Sequence, residues 1–172
     1  MDLTPAAPAD VAPVAALIRT SKAVAMPWLA VVHTPEEDLG WVRSVLLAQH
    51  AVTVAREDDD VVGVLATSPG WVDQLYVHPE HQGRGVGRAL LEAAKATSEG
   101  DLQLWTFTRN ARARAFYERA GFAAEEETDG TTNEEREPDV RYRWRAGART
   151  AAVGVRDSRS DADRGRGAPR DR

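Results

Sequence analysis

The sequence predicts an α/β domain of the α+β kind, with one mixed, mostly antiparallel sheet and helices on both faces. Three observations carry that expectation. "AVTVARE", "VVGVLAT" and "WVDQLYV" are strand-like and joined by short turns, an aspartate turn at 58–60 and "SPG", which makes an antiparallel meander. The third of these stretches leads through "VHPEHQGRGVGRALLEAAK" into an amphipathic helix and then to "LQLWTF". A strand reached across a helix can lie parallel to the one before it, through a right-handed crossover. Two more helical apolar stripes precede the meander, so helices are available for both faces.

Taken in order, residues 2–5 read as a short first strand, with Pro5 counting against it. Asp10 then precedes Val11, Val14, Leu17 and Ile18, a helical stripe that runs to about Lys22. Thr34, Pro35 and Glu37 supply an N-cap, a proline at the first helical position and the carboxylate of a capping box. Leu39, Val42 and Leu46 continue one face of that second helix. The intervening "AVAMPWLAVVHT" is too long for a minimal turn, so it packs on the core or lines a site. After the meander, a helix is expected from about Gly85 to Ser98, closed by Gly100. A short helix from Asn110 to Arg119 ends at Gly121, and two strands near 122–128 and 139–144 flank an Asp129-Gly130 turn and an acidic loop.

Composition narrows the function classes. The chain has 172 residues, 42% of them hydrophobic, which suits one domain with an adequate core. It has no cysteine, so disulfides, thiolate metal sites and a cysteinyl intermediate are excluded. The four histidines are scattered, and His78 and His81 have no ligand pattern around them, so no metal site is expected. The N-terminus lacks a signal peptide's basic start and apolar run, and no long apolar stretch reads as a membrane span. The expectation is a soluble, cytoplasmic protein, monomeric or homodimeric.

The formal net charge of -5 argues against a dedicated nucleic-acid binder. Basic residues do gather from Arg145 onward, in a stretch rich in Arg, Asp, Gly and Ser without apolar periodicity. The domain is therefore placed at 1–145 and a disordered tail at 146–172. Reading the tail as a nucleic-acid arm meets two objections, its diluting aspartates and its lack of aromatics for stacking.

The turn before the third helix carries the chemistry. Gly83, Gly85 and Gly87 let the backbone bend and let a ligand approach amides that a Cβ would shield. Those amides sit at a helix N-terminus, where free N–H groups and the helix dipole favour an anion, and Arg84 and Arg88 add charge. A phosphate or pyrophosphate is the expected occupant. A P-loop is excluded because Gly87 is followed by Arg88 and Ala89 rather than Lys and Ser or Thr. A dinucleotide fingerprint fails because Gly85 and Gly87 are followed by Leu90 at the third glycine position.

Gln82-x-x-Gly85-x-Gly87 after a strand, followed by a helix, a strand and "NARARAFYERAGF", resembles the two signature motifs of the GNAT superfamily of acyl-coenzyme A-dependent N-acetyltransferases. The resemblance covers about 1–145 in element order. It implies acetyl-CoA as co-substrate, with its pyrophosphate on the amides of Gln82, Gly83, Arg84, Gly85, Val86 and Gly87 beside Arg88. It further implies that backbone groups of Leu75, Tyr76 and Val77 pair with the pantetheine arm and that Asn110 contacts it. Tyr117 matches the motif tyrosine that protonates the leaving thiolate, and its alternative role is that of a packed aromatic beside Phe116 and Phe122.

The acyl acceptor is read as a small amine or a peptide N-terminus. Attack on a thioester needs a free amine lone pair, and some family members place a carboxylate on the fifth strand to take the proton. Trp105 occupies that position here. Two bases stand in its place. Asp73 shares a face with Leu75 and Val77 if strand alternation holds, and His33 lies between the first two helices. Each has a structural alternative, a solvated strand residue for Asp73 and a helix-entry residue for His33. Trp28 and Trp41 are either an apolar acceptor wall or core, and Glu134, Glu135, Glu137 and Asp139 either a solvated hairpin or a rim attracting a cationic amine. The competing function is a non-catalytic acyl-CoA-binding sensor or partner module.

Overall fold

The computed structural model describes residues 1–147. The tail expected from 146 onward lies, from residue 148, outside the described residues. The elements run β1 (Asp2–Pro5), α1 (Val11–Ala25), α2 (Pro35–Trp41), α3 (Leu47–Gln49), β2 (Ala51–Glu57), β3 (Asp60–Ser68) and β4 (Trp71–Val77). They continue with α4 (Val86–Thr97), β5 (Leu102–Phe107), α5 (Ala111–Arg119), β6 (Ala123–Thr128) and β7 (Asp139–Trp144). A wide helical turn over Val42–Leu46 joins α2 to α3. The capping box forms as its residues require: Glu37 N–H donates to Thr34 Oγ1 at 3.2 Å, and Thr34 N–H donates to Glu37 Oε2 at 2.7 Å.

One seven-stranded sheet has the order β1-β2-β3-β4-β5-β7-β6, and β4–β5 is its one parallel pairing. On one face, α1 and the α2–α3 segment bury Val14, Leu17, Val42 and Leu46 against Val54, Val64 and Ala66. On the other, α4 buries Val86, Leu90 and Leu91 with Leu65, Val72, Leu104 and Val140. Gly63 permits the close seating of α4, since a Cβ there would stand 2.9 Å from both Leu90 Cδ1 and Val86 Cγ1. The helix–strand–helix reading of the sequence therefore yields the two covered faces it predicts.

Two expectations are corrected. Helix α4 is not closed by Gly100: Ser98 leaves the helix in an extended conformation, and its hydroxyl donates to the Gly100 carbonyl at 2.7 Å. The second concerns Asp73. Ala66 faces Gln74 and Thr67 faces Val72, so Asp73 is the extra residue of a β-bulge. Simple alternation breaks there, and the face shared by Leu75 and Val77 passes to Val72 instead.

Candidate functional site

β4 and β5 pair at Trp71 with Gln103 and then diverge toward their C-terminal ends. The opening is a cleft of about 770 Å³. The hydrogen-bond register shows what β4 offers to it. His78 N–H donates to Val62 C=O, so the 62/78 pair and, at every second position, 64/76 are the hydrogen-bonded pairs with β3. Leu75 and Val77 are the alternate pairs, whose N–H and C=O groups point away from β3 into the gap. Tyr76, grouped with them in the sequence reading, spends its own backbone groups on β3 and presents its side chain to the cleft instead. The Val77 carbonyl accepts from Ser21 Oγ and from Gln82 Nε2, both at 3.0 Å. Leu75 N–H, Leu75 C=O and Val77 N–H thus form an open strand edge.

The glycine turn closes one end of this edge. Gly83 and Gly85 have φ of 79° and 89°, a region that costs other residues about 1–2 kcal/mol. Gly85 is the N-cap of α4 with no side-chain cap, and the first intrahelical donor recorded is Ala89 N–H, to Gly85 C=O at 2.9 Å. The N–H groups of Val86, Gly87 and Arg88 consequently face outward at the helix N-terminus. Gln82 lines the cleft and also builds the turn: its N–H donates to Pro79 C=O at 3.3 Å and its side chain ties off Val77. Arg88 lines the cleft, whereas Arg84 stands exposed on the turn outside the lining.

Helix α5 forms the opposite wall. Asn110 caps it, its Oδ1 accepting from Ala113 N–H at 3.1 Å, which leaves the side-chain amide to face the cleft. Tyr117 is 8% exposed, and its ring packs edge-on to Phe116 and Phe122 at 5.2 and 5.9 Å between centroids. No group among the described residues hydrogen bonds its hydroxyl. Burial raises its pKa above the ordinary phenol value, so the group is protonated throughout the usual pH range. Tyr117 is both the packed aromatic and the cleft phenol, so those two sequence readings do not compete.

The sequence reading missed Arg112 and Arg119, which join Arg88 on the lining. Their i, i+7 spacing on α5 was the available signal. It also missed the Tyr76 side chain. Burial, then the nearby Tyr117 and Glu135, raise its pKa, and Lys22 Nζ lies 6.0 Å from its ring centroid.

Neither candidate base lines the cleft. The bulge at Asp73 turns its carboxylate toward His50, Oδ1 to Nε2 at 4.0 Å, and His50 is itself 3.4 Å from the Val45 carbonyl on the α1–α2 side. Asp73 Oδ2 is buried without a partner. His33 is exposed between Glu37 at 3.9 Å and Glu134 at 3.8 Å. The acidic loop is largely used internally. Asp139 accepts from Thr128 and Asn133, and Glu137 lies 3.8 Å from Arg109. Arg109 in turn covers the Trp28 ring at 4.9 Å, while Trp41 and Trp105 are surface residues on α2 and β5. Glu135 is left without an ion pair among the described residues.

An open strand edge that meets an uncapped helix N-terminus, opposite a buried phenol, suits a long ligand with an extended amide-bearing arm and a phosphate. Residues 48–124 match the model of the acetyltransferase (GNAT) domain family. Over that stretch the chain is similar to GNAT acetyltransferase domains. Its fold is shared by apo YjaB from Escherichia coli, at 23% identity and TM-score 0.70, covering 83% of this chain and 95% of that one. It is shared by YncA from Salmonella typhimurium, solved with acetyl-CoA, at 20% identity and TM-score 0.65, covering 95% and 98%. The PaiA N-acetyltransferase from Thermoplasma acidophilum, solved with coenzyme A, has 18% identity and TM-score 0.61, covering 84% and 99%. No curated protein matches the chain. Among the described residues, no helix is long and apolar enough to cross a membrane.

Proposed function

We propose that the chain transfers an acetyl group from acetyl-CoA to a primary amine, directly and within a ternary complex, with residues 1–145 as the catalytic unit. The observation that carries this reading is the convergence, on one cleft, of the open Leu75–Val77 edge, the outward N–H groups of Val86–Arg88 and the Tyr117 phenol. Acetyl-CoA would supply an activated thioester. Leu75 and Val77 would hold its amide-bearing arm as an added strand, which fixes the carbonyl in line with the opening. Gly83, Gly85, Val86 and Gly87 would take the pyrophosphate on backbone N–H groups, with Arg88, Arg112 and Arg119 adding charge at the cleft wall.

Catalysis in this reading is positioning plus one proton. Absence of cysteine removes a covalent relay on sulfur, so the amine attacks the thioester itself. Tyr117 enters the reaction as a neutral phenol, because burial disfavours its phenolate. It donates a hydrogen bond, and then its proton, as negative charge develops on the departing sulfur, and the high pKa of the buried phenol draws a proton back from solvent to restore it. The amine proton leaves through solvent, since neither Asp73 nor His33 lines the cleft and the one carboxylate that does, Glu92, is paired with Lys95.

That proton route bears on the acceptor. Freeing the lone pair of a lysine-like amine of pKa about 10.4 at pH 7 costs about 4.6 kcal/mol, against about 1.1 kcal/mol for an α-amine near 7.8. A weakly basic amine, as in a small amine or a peptide N-terminus, is therefore the acceptor class, with Glu135 available to attract it. Acetyl-CoA titration by calorimetry, followed by a free-thiol assay across such amines, tests the reading. Tight binding with amine-dependent thiol release supports it. Binding without turnover over the whole panel favours the acyl-CoA-binding module, which the absence of Asp73 and His33 from the cleft lining would explain.

A further inference from the structure

Helix α5 carries Tyr117. It spans nine residues, and Tyr117 is the one it fully buries, with Ala113, Phe116 and, just past its end, Ala120 packed partly buried against the same core. Such an apolar stripe gives a short amphipathic helix its general orientation. Polar ties are added to the stripe here. Asn110 holds the first turn, and Lys95 Nζ donates to the Ala120 carbonyl just beyond the last turn at 2.6 Å. The middle is held by Tyr142. Its ring is fully buried on β7, and its hydroxyl donates to Glu118 Oε1 at 2.6 Å while accepting from Arg114 Nε at 3.2 Å.

We propose that Tyr142 is a positioning residue for Tyr117, its hydroxyl setting the rotation of α5 through the Arg114–Glu118 pair. Arg114 and Glu118 are four residues apart, so they lie above one another on one helical face. One tie would leave the helix free to roll about the contact. Two ties to the same oxygen, spaced by a full turn, fix the roll. Tyr117 immediately precedes Glu118, and its ring centroid lies 6.3 Å from that of Tyr142, so a roll of α5 moves the phenol relative to the cleft. The ring of Tyr142 fills the core, and the hydroxyl carries the alignment. The two jobs are separable by one oxygen atom.

This inference rests on the acetyltransferase reading for its kinetic arm and stands apart from it in its spectroscopic arm. In the full-length chain, Tyr142→Phe keeps the ring and removes the hydroxyl. The expected result is a loss of kcat on the order of tenfold, the scale of a small misplacement of a reacting group, with acetyl-CoA affinity unchanged. In a Tyr117→Phe background the same change should cost nothing further, because the residue acts through Tyr117. Glu118→Ala should reproduce the loss, and Glu118→Gln, which keeps an acceptor, should lose less. A fluorinated tyrosine placed at 117 should shift or broaden its ¹⁹F resonance when Tyr142 becomes Phe. That readout needs no turnover, so it stays informative if the chain proves inactive. An unchanged resonance, or full additivity of the Tyr117 and Tyr142 variants in kcat, overturns the proposal. Should Tyr142→Phe fail to fold, Glu118→Ala supplies the same tests from the exposed side of the tie.

Discussion

Gly85 and Gly87 lie two residues apart in one turn, and substituting each by alanine should move stability in opposite directions. Gly85 has φ of 89°, and a Cβ there would meet nothing within 4 Å, so Gly85→Ala is penalised by backbone conformation alone. The left-handed region costs a residue with a Cβ about 1–2 kcal/mol. With about 2–4 °C per kcal/mol for a chain of this size, the melting temperature should fall by about 2–8 °C. Gly87 lies inside α4, and its Cβ would stand 3.5 Å from Phe116 Cζ and Val77 Cγ2, an ordinary contact. Alanine there gains helix propensity of up to about 1 kcal/mol, so the protein should melt up to about 4 °C higher. The new methyl nevertheless lies on the cleft lining beside the outward N–H groups. Gly87→Ala should therefore weaken acetyl-CoA binding while stabilising the apoprotein. Differential scanning fluorimetry and calorimetric titration on the two variants separate the effects. Full affinity in a stabilised Gly87→Ala protein would refute the argument that a ligand approaches this backbone closely.

Other substitutions test the remaining parts of the site and its supports. Tyr117→Phe should lower turnover by about 10²–10⁴-fold with acetyl-CoA affinity retained, read by single-turnover thiol release; wild-type chemistry would leave Tyr117 a packing residue. Lys95→Met keeps the apolar stem between the Phe122 and Trp144 rings but loses the bonds to Ala120 and Glu92, and chemical denaturation should show a loss of about 1.5–3 kcal/mol. At Asp10 burial pushes the pKa up, but hydrogen bonds from Ala7 N–H and Arg56 outweigh it and hold the carboxyl below its ordinary value. Its contribution is therefore present above the unfolded pKa of about 3.9 and lost as pH falls through the folded value, so acid titration should unfold the wild type more steeply than Asp10→Asn. Glu135→Lys should raise the KM for a cationic acceptor and leave acetyl-CoA affinity unchanged, as steady-state kinetics would show.

Periodicity made most of the fold legible, and local chemistry decided where it was not. The capping box at Thr34–Glu37, the meander of β2 to β4 and the parallel β5 follow from patterns within a few residues of each other. The glycine turn was legible because positive φ at Gly83 and Gly85 is a demand that sequence can display. Asp73 was misread because a bulge adds one residue to one strand, and nothing in "WVDQLYV" marks which residue is extra. The ties that join distant elements around the cleft, Ser21 on Val77 and Lys95 on Ala120, were illegible for a plainer reason. They join positions 56 and 25 residues apart, and one sequence carries no record of such a meeting.

The cleft is best understood as a place where the fold declines to satisfy its own backbone. Buried or edge N–H and C=O groups are normally paired, and an open strand edge invites another chain. Here β5 could have continued beside β4 past Trp71, which would have paired Leu75 and Val77. A side-chain cap on Gly85 could likewise have taken an N–H of the first turn of α4. Neither happens, and the two unsatisfied features face the same opening. Folding gains nothing from leaving them open, because each open group forgoes a net contribution of about 0.5–1.5 kcal/mol. A ligand that restores both sets of hydrogen bonds at once does gain from it, and it must present an extended amide arm to the strand edge and an anion to the helix end. The separation of these two demands along the cleft is what selects a long, two-part molecule over a simple phosphate or a simple peptide.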